Sequence, residues 1–241
     1  MIINSQQNSK FKLINKLKQK KYRDKTNSFV IESRKLVDEA ISSSANIDFI
    51  FLKDGLTIKE GFDKIYLEEG LFDKASSLQS PDGYGAVVKK REPSKITSKR
   101  VLLLDKINDP GNMGTMIRSA EAFGFKDIIL SPFSVDIYNP KTLRASMGSI
   151  FRINIVEKTY EEISRLKKDY KILSSDMAGK DLKKYNIGDE KIILAIGNES
   201  NGLSKDLRDI TDDFIKISMQ GKIESLNAAI AASIMMNTLS L

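Results

Sequence analysis

Cysteine and histidine are both absent from this 241-residue sequence. Without cysteine there is no disulfide, no thiolate nucleophile and no cysteine-based zinc site. Without histidine the usual general base at neutral pH and the usual transition-metal ligand are missing. A Ser-His-Asp triad is therefore impossible, and no metal is expected. Any proton transfer falls to Asp, Glu, Lys, Tyr, Arg or the substrate itself. No apolar run approaches the roughly 20 residues that a membrane span needs, so no membrane partner is expected. The opening residues are polar, unlike a secretory signal, and the expected setting is the cytoplasm. There is no G-x-x-x-x-G-K-[ST], no G-x-G-x-x-G after a strand and no G-x-S-x-G. Phosphate loops, the usual dinucleotide cradle and the serine elbow are excluded with them.

What is present is 41% hydrophobic and 29% charged, the mixture of a globular chain. The net charge of +7 favours a polyanionic partner, nucleic acid ahead of a membrane. Basic charge is densest in residues 10–25, with eight basic side chains and one acidic one. There Phe11, Ile14 and Leu17 recur at helical spacing, which predicts one helix with a narrow apolar stripe. Such a run is either a solvated face or a surface that tracks phosphates.

Strands are predicted at 29–31, 47–52, 64–67 and 84–88, with helices at 33–41 and 71–76 between them. This alternation argues a small α/β domain. Residues 89–100 are polar, basic and interrupted by Pro93, as a linker is. The expected division is a first domain over 1–92, a linker over 93–98 and a second domain over 99–241. The second domain opens with Val101-Leu102-Leu103-Leu104, an apolar run suited to a strand buried on both faces of a parallel sheet. Further strands are predicted at 128–130, 153–156, 172–173 and 192–196. A helix is expected from about Asn112, ended by Gly124, with Met113, Met116, Ile117, Ala120 and Phe123 on its apolar side. Arg118 is one step off that stripe.

Three loops follow strand ends in this domain. The first runs Asn108-Asp109-Pro110-Gly111-Asn112-Met113-Gly114. The second is Ile196-Gly197-Asn198-Glu199-Ser200-Asn201-Gly202-Leu203. The third leaves a strand of Phe214, Ile215 and Ile217, turns at Gln220-Gly221-Lys222, and reaches Ser225, Leu226 and Asn227 where an alanine-rich helix begins. Glycine and asparagine make turns, and each loop alone is open to that plain explanation. Three such loops at the carboxyl ends of strands, where open α/β sheets bind ligands, suit a small polar ligand held largely by main chain.

The motifs resemble a known family. Asn112-x-Gly114-x-x-x-Arg118-x-Ala120-x-x-Phe123-Gly124, Ile196-Gly197-Asn198-Glu199-x-x-Gly202-Leu203 and Ile217-x-Met219-x-Gly221-x-x-x-Ser225-Leu226-Asn227 are similar, in this order, to the three motifs of the SpoU-type RNA ribose methyltransferases. Leu143-Arg144-Ala145-Ser146-Met147-Gly148 also looks like a stretch of that family. The block 29–88 is similar to the family's ribosomal-protein-like substrate-binding domain.

The resemblance implies a trefoil-knotted parallel-sheet domain of the SPOUT superfamily, S-adenosyl-L-methionine as cofactor and a homodimer that completes the active site. It implies methylation of a ribose 2′-hydroxyl in RNA, ribosomal RNA ahead of transfer RNA. By motif, Ile196, Gly197, Asn198, Ile217, Met219 and Leu226 would hold the cofactor. Asn112, Arg118, Glu199, Ser225 and Asn227 would line the reaction site. Ser218 departs from the pattern, which often has proline there. A guanidinium keeps its proton throughout the ordinary pH range and is a poor base, so Arg118 is expected to clamp a phosphate and steady a developing alkoxide. A direct base role would need an unusual environment. A catalytically silent RNA-binding module and a base methyltransferase of the same superfamily are the rival readings.

Overall fold

The computed structural model describes residues 2–240 and divides the chain into two compact units. One holds the chain through Glu92 together with Tyr138–Phe151; the other holds Pro93–Ile137 and the chain from Arg152 onward. A fourteen-residue segment from inside the second half of the sequence thus groups with the first unit, which no local pattern announces.

The first unit is built on β1 (Ile2–Ile3), α1 (Ser9–Lys16), α2 (Lys20–Thr26), β2 (Ser28–Glu32), α3 (Arg34–Ser42), β3 (Ile47–Lys53), β4 (Lys64–Leu67), α4 (Glu69–Ala75) and β5 (Tyr84–Lys89). Its five-stranded sheet has the order β1-β4-β3-β5-β2. The strands β1, β4 and β3 run parallel, and β5 pairs antiparallel with both β3 and β2. The basic stretch forms two helices rather than one. Asn8 caps α1 with its side chain, and Arg23 donates to the carbonyls of Leu17 and Lys18 at 2.9 Å, fastening the break between them. Phe11, Ile14 and Leu17 are buried with Phe49, Phe51, Leu67 and Phe72, so the apolar stripe is core. Several of the lysines are held locally: Lys10 pairs with Asp63, and Lys20 and Lys90 share Asp24.

The second unit begins with β6 (Arg100–Leu104), α5 (Pro110–Ala122) and β7 (Asp127–Leu130); α6 (Pro140–Ser146) belongs to the first unit. It continues with β8 (Asn154–Glu157), α7 (Tyr160–Arg165), β9 (Lys171–Asp181), β10 (Ile192–Ile196), α8 (Lys205–Ile210), β11 (Asp213–Lys216) and α9 (Ala228–Leu239). Every pairing in the sheet is parallel, in the order β11-β9-β10-β6-β7-β8. All five residues of β6 and of β10 are buried, and all but Arg100 are apolar, as suits central strands covered on both faces. From β6 the chain winds outward to β8, then crosses to build the other half. The reversal falls between β6 and β10, the position where open α/β sheets bind ligands.

Residues 93–98 belong to no helix or strand and are tied down by side chains: Asn154 Oδ1 accepts from Ser94 N, and Asp127 Oδ2 accepts from Thr97 N, Ser98 N and Ser98 Oγ. The terminal helix is fixed at its far end by the buried Arg100, whose Nε donates to Leu239 O at 2.9 Å.

Candidate active site

Three loops leave the carboxyl edge of the second sheet and are cross-linked to one another. Backbone comes first: Asp105 N, just past β6, donates to Ile196 O at the end of β10. Asp109 caps α5 by accepting from Asn112 N at 2.7 Å, with Pro110 at the first helical position, where a missing N–H costs nothing. This delivers the Asn112 side chain to the edge. Its Nδ2 donates to Glu199 Oε1 at 2.9 Å and its Oδ1 accepts from Asn227 Nδ2 at 3.1 Å. One residue from each loop therefore meets in a single chain of hydrogen bonds.

The second loop is a tight fold-back. Asn198 and Gly202 exchange backbone hydrogen bonds of 2.9 Å, and Asn198 Oδ1 accepts from Ser200 N and Asn201 N. A Cβ on Gly197 would lie 2.5 Å from the Gly202 carbonyl carbon, closer than backbone can tolerate. Asn198 Nδ2 donates to Lys106 O at 2.8 Å, anchoring this loop to the first. Beneath it lies Asp105, which is fully buried and accepts from Tyr160 OH and Ser204 N, both at 2.7 Å. Burial and the neighbouring Asp105 raise the Tyr160 phenol above its ordinary pKa, so it stays a donor.

The third loop begins one residue earlier than the sequence suggests, since β11 ends at Lys216 and Ile217 lies beyond it. Ser218 Oγ donates to Asp181 Oδ2 at 2.8 Å, a side-chain tie at the position where the family pattern often has proline. The helix starts at Ala228, and Asn227 is its cap, accepting from Ala229 N and Ile230 N. Ser225 sits in the loop ahead of it rather than in the first turn. Alanines let α9 lie close to α5, and Ser119 and Ser233 hydroxyls meet at 2.8 Å across them.

Between the second and third loops is a cavity of about 410 Å³. Ile196, Gly197, Asn198, Ile217, Met219 and Leu226 all line it, as do Glu199 and Ser225. Asn112 and Asn227 join it through Glu199. Arg118 does not line it: the side chain projects from the exposed side of α5 and makes no hydrogen bond or ion pair among the described residues. The wall that sequence reasoning missed is Asp176 with Arg208, an ion pair from β9 and α8. Burial pushes the Asp176 carboxyl up, but the Ala178 N–H and Arg208 outweigh it and hold it below the usual range. Among the described residues there is no cluster of potential metal ligands and no helix long and apolar enough to cross a membrane.

Residues 99–237 match the SpoU rRNA Methylase family, and residues 8–86 match the MRM3-like substrate binding domain. The chain is 35% identical to a Bacillus subtilis protein, the 23S rRNA (guanosine(2553)-2′-O)-methyltransferase RlmP, over 97% of this chain and 96% of that protein. It is 34% identical over 140 residues to the Streptomyces viridochromogenes 23S rRNA (uridine(2479)-2′-O)-methyltransferase, covering 55% of this chain and 49% of that one. An AdoMet-bound rRNA methyltransferase structure from Sinorhizobium meliloti superposes with a TM-score of 0.87 at 29% identity, over 99% of this chain and 96% of that chain.

Proposed function

The chain belongs to the SpoU rRNA methylase family, and we infer from this that it transfers the methyl group of S-adenosylmethionine to a ribose 2′-hydroxyl of ribosomal RNA. The observation that carries the reading is the cavity at the carboxyl edge of the second sheet, enclosed by the second and third motif loops and linked to the first through Asn112. Its volume is that of a site for a nucleoside-sized ligand. Ile196, Ile217, Leu226 and Met235 offer apolar surface to a base and a methionyl chain, while the loops offer main-chain polar groups.

Ile196, Gly197, Asn198, Ile217, Met219 and Leu226 are assigned to cofactor binding, supported by their shared place on the cavity wall. The bound cofactor supplies a methyl group already activated on a sulfonium. What the protein adds is alignment of the hydroxyl with that methyl and removal of its proton. Of the cavity's two carboxylates, Asp176 is engaged by Arg208 and the Ala178 N–H. That leaves Glu199 placed to take up the proton, oriented by Asn112, with Ser225 and Asn227 alongside.

Arg118 is assigned to the RNA phosphate beside the reacting ribose, by bidentate contact. Its exposed position, outside the cavity of its own subunit, supports a homodimer in which each Arg118 serves the other's site. The outward face of α9 carries exposed Ile230 and Ile234, an apolar pair suited to such an interface. The same reading makes 1–92 the substrate-binding domain, 93–98 the linker and 99–241 the trefoil-knotted catalytic domain, supported by the residues that the two family models match. The proposed setting is the cytoplasm, supported by ribosomal RNA as substrate. A non-catalytic RNA-binding module has no use for a cavity of this size.

Calorimetric titration with S-adenosylmethionine, followed by tritiated methyl transfer to ribosomal RNA from cells lacking this protein, tests the reading. Saturable binding and label in RNA are expected. A protein that binds RNA and takes up no cofactor would leave only the silent module.

A further inference from the structure

Phe133 combines two features that packing does not explain. Its side chain is 85% exposed, and its backbone has φ +70°, a region that bulky residues enter only under constraint. It is the one aromatic among the exposed large hydrophobic side chains of the described residues, and its ring makes no ring contact among them.

The constraint on the backbone is identifiable. Past the end of β7, Ser131 N donates to Leu104 O at 3.1 Å, and Ser131 Oγ accepts from Lys106 N at 2.9 Å. Val135 N then donates to Ile107 O at 2.8 Å. The turn is thus fastened on both sides of Phe133 to the loop that leads into Asn112. Leu104 and Leu130 are register partners on adjacent parallel strands. Phe133 therefore leaves the same carboxyl edge as the candidate active site, next to its first loop. Lys106 also has a left-handed backbone, φ +52°, and its ammonium lies 5.8 Å from the Tyr160 ring. A cation and a bare ring stand at the ends of neighbouring strands.

We propose that Phe133 is a stacking platform for an unpaired base of the RNA substrate, which rests on the reading that this site methylates RNA. Proteins that read unpaired RNA stack splayed bases on aromatic faces and hold the backbone with basic groups. The ring is held outward in advance, so little order has to be gained when the base arrives. This would set the nucleotide's position relative to the cavity without any contact to the cofactor.

The test compares Phe133→Ala, Phe133→Gly, Phe133→Leu and Phe133→Trp. The probe is unmodified ribosomal RNA from cells lacking this protein, with filter binding as the first readout and methyl transfer as the second. Ala and Gly are expected to weaken RNA binding about tenfold and raise KM for RNA in parallel. Trp should bind like the native protein, and Leu should resemble Ala. Cofactor affinity and kcat at saturating RNA should not change. The Gly variant, relieved of the left-handed strain, should melt no lower than the native protein, which a structural role for the ring would not allow. Unchanged RNA binding in the Ala variant would overturn the proposal, as would a Leu variant equal to Trp. A fall in oligomer mass in the Ala variant would also overturn it, because the ring would then be covering a second copy of the chain. If the native protein bound this RNA but transferred no methyl to it, the underlying reading would fail, whereas the filter-binding series would still decide the role of Phe133.

Discussion

Asn227 and Asn112, 115 residues apart in the chain, are joined side chain to side chain at 3.1 Å. Asn227 simultaneously caps α9, and Asn112 simultaneously donates to Glu199. Two small amides thus hold three loops in register at the edge of the sheet. Asn112→Ala removes both bonds, each worth about 1 kcal/mol, and is expected to weaken cofactor binding about tenfold. Asn112→Asp should be worse, because it sets a second carboxylate against Glu199. Calorimetry on the two variants checks the order; equal affinity in both would show that the bridge is incidental.

Arg118→Ala should abolish methyl transfer while leaving cofactor affinity within a few-fold, since the side chain lies outside the cavity. If active sites are shared between subunits, mixing Arg118→Ala with a cavity-dead variant should restore part of the activity. Titrating one inactive variant into the other and following tritium in RNA tests this. No recovery at any ratio would place Arg118 in its own subunit's site.

Gly197→Ala places a methyl 2.5 Å from the Gly202 carbonyl carbon. The second loop must open to admit it, and overpacking of this kind costs about 1–3 kcal/mol. Lower thermal stability and lost cofactor binding are expected together. Wild-type affinity would mean that the fold-back does not shape the site.

Asp127 gives a pH dependence of known sign. Burial pushes its carboxyl up, but hydrogen bonds from Asn154, Ser98 and Thr97 outweigh this and hold it below the ordinary value of 3.8. Its contribution to stability is therefore present above that value and lost as pH falls through the lower folded pKa. Asp127→Asn should be less stable than the native protein at pH 7 by about 1–3 kcal/mol. The difference should shrink as the pH is taken below 4, as read from denaturant midpoints. A gap that stays constant with pH would assign the loss to shape rather than charge.

How much was legible in the sequence depends on whether the determinant is local. The strands of the second sheet show because residues such as Leu102 and Leu194 are buried on both faces, which leaves an unbroken apolar run. The three loops show because Gly197, Asn112 and Asn227 are residue types with strong backbone and capping preferences. The single basic helix was misread because no glycine or proline interrupts residues 10–25, while the break is fastened by Arg23 reaching back to two carbonyls. The Asp105, Tyr160 and Ser204 support and the Asp176–Arg208 wall were hidden for the same reason: their partners are 32 to 99 residues apart. The place of Arg118 outside the cavity was equally illegible, since a motif lists residues without saying which side of a helix a neighbour covers.

Alkaline hydrolysis of ribosomal RNA treated with the protein and S-adenosylmethionine bears most directly on the central claim. A 2′-O-methyl removes the hydroxyl that cleavage of its own linkage requires. Expected is a new alkali-resistant linkage in RNA from cells lacking the protein, absent when Arg118→Ala replaces the native chain. Methyl label recovered on a base, with every linkage still cleaved by alkali, would contradict it.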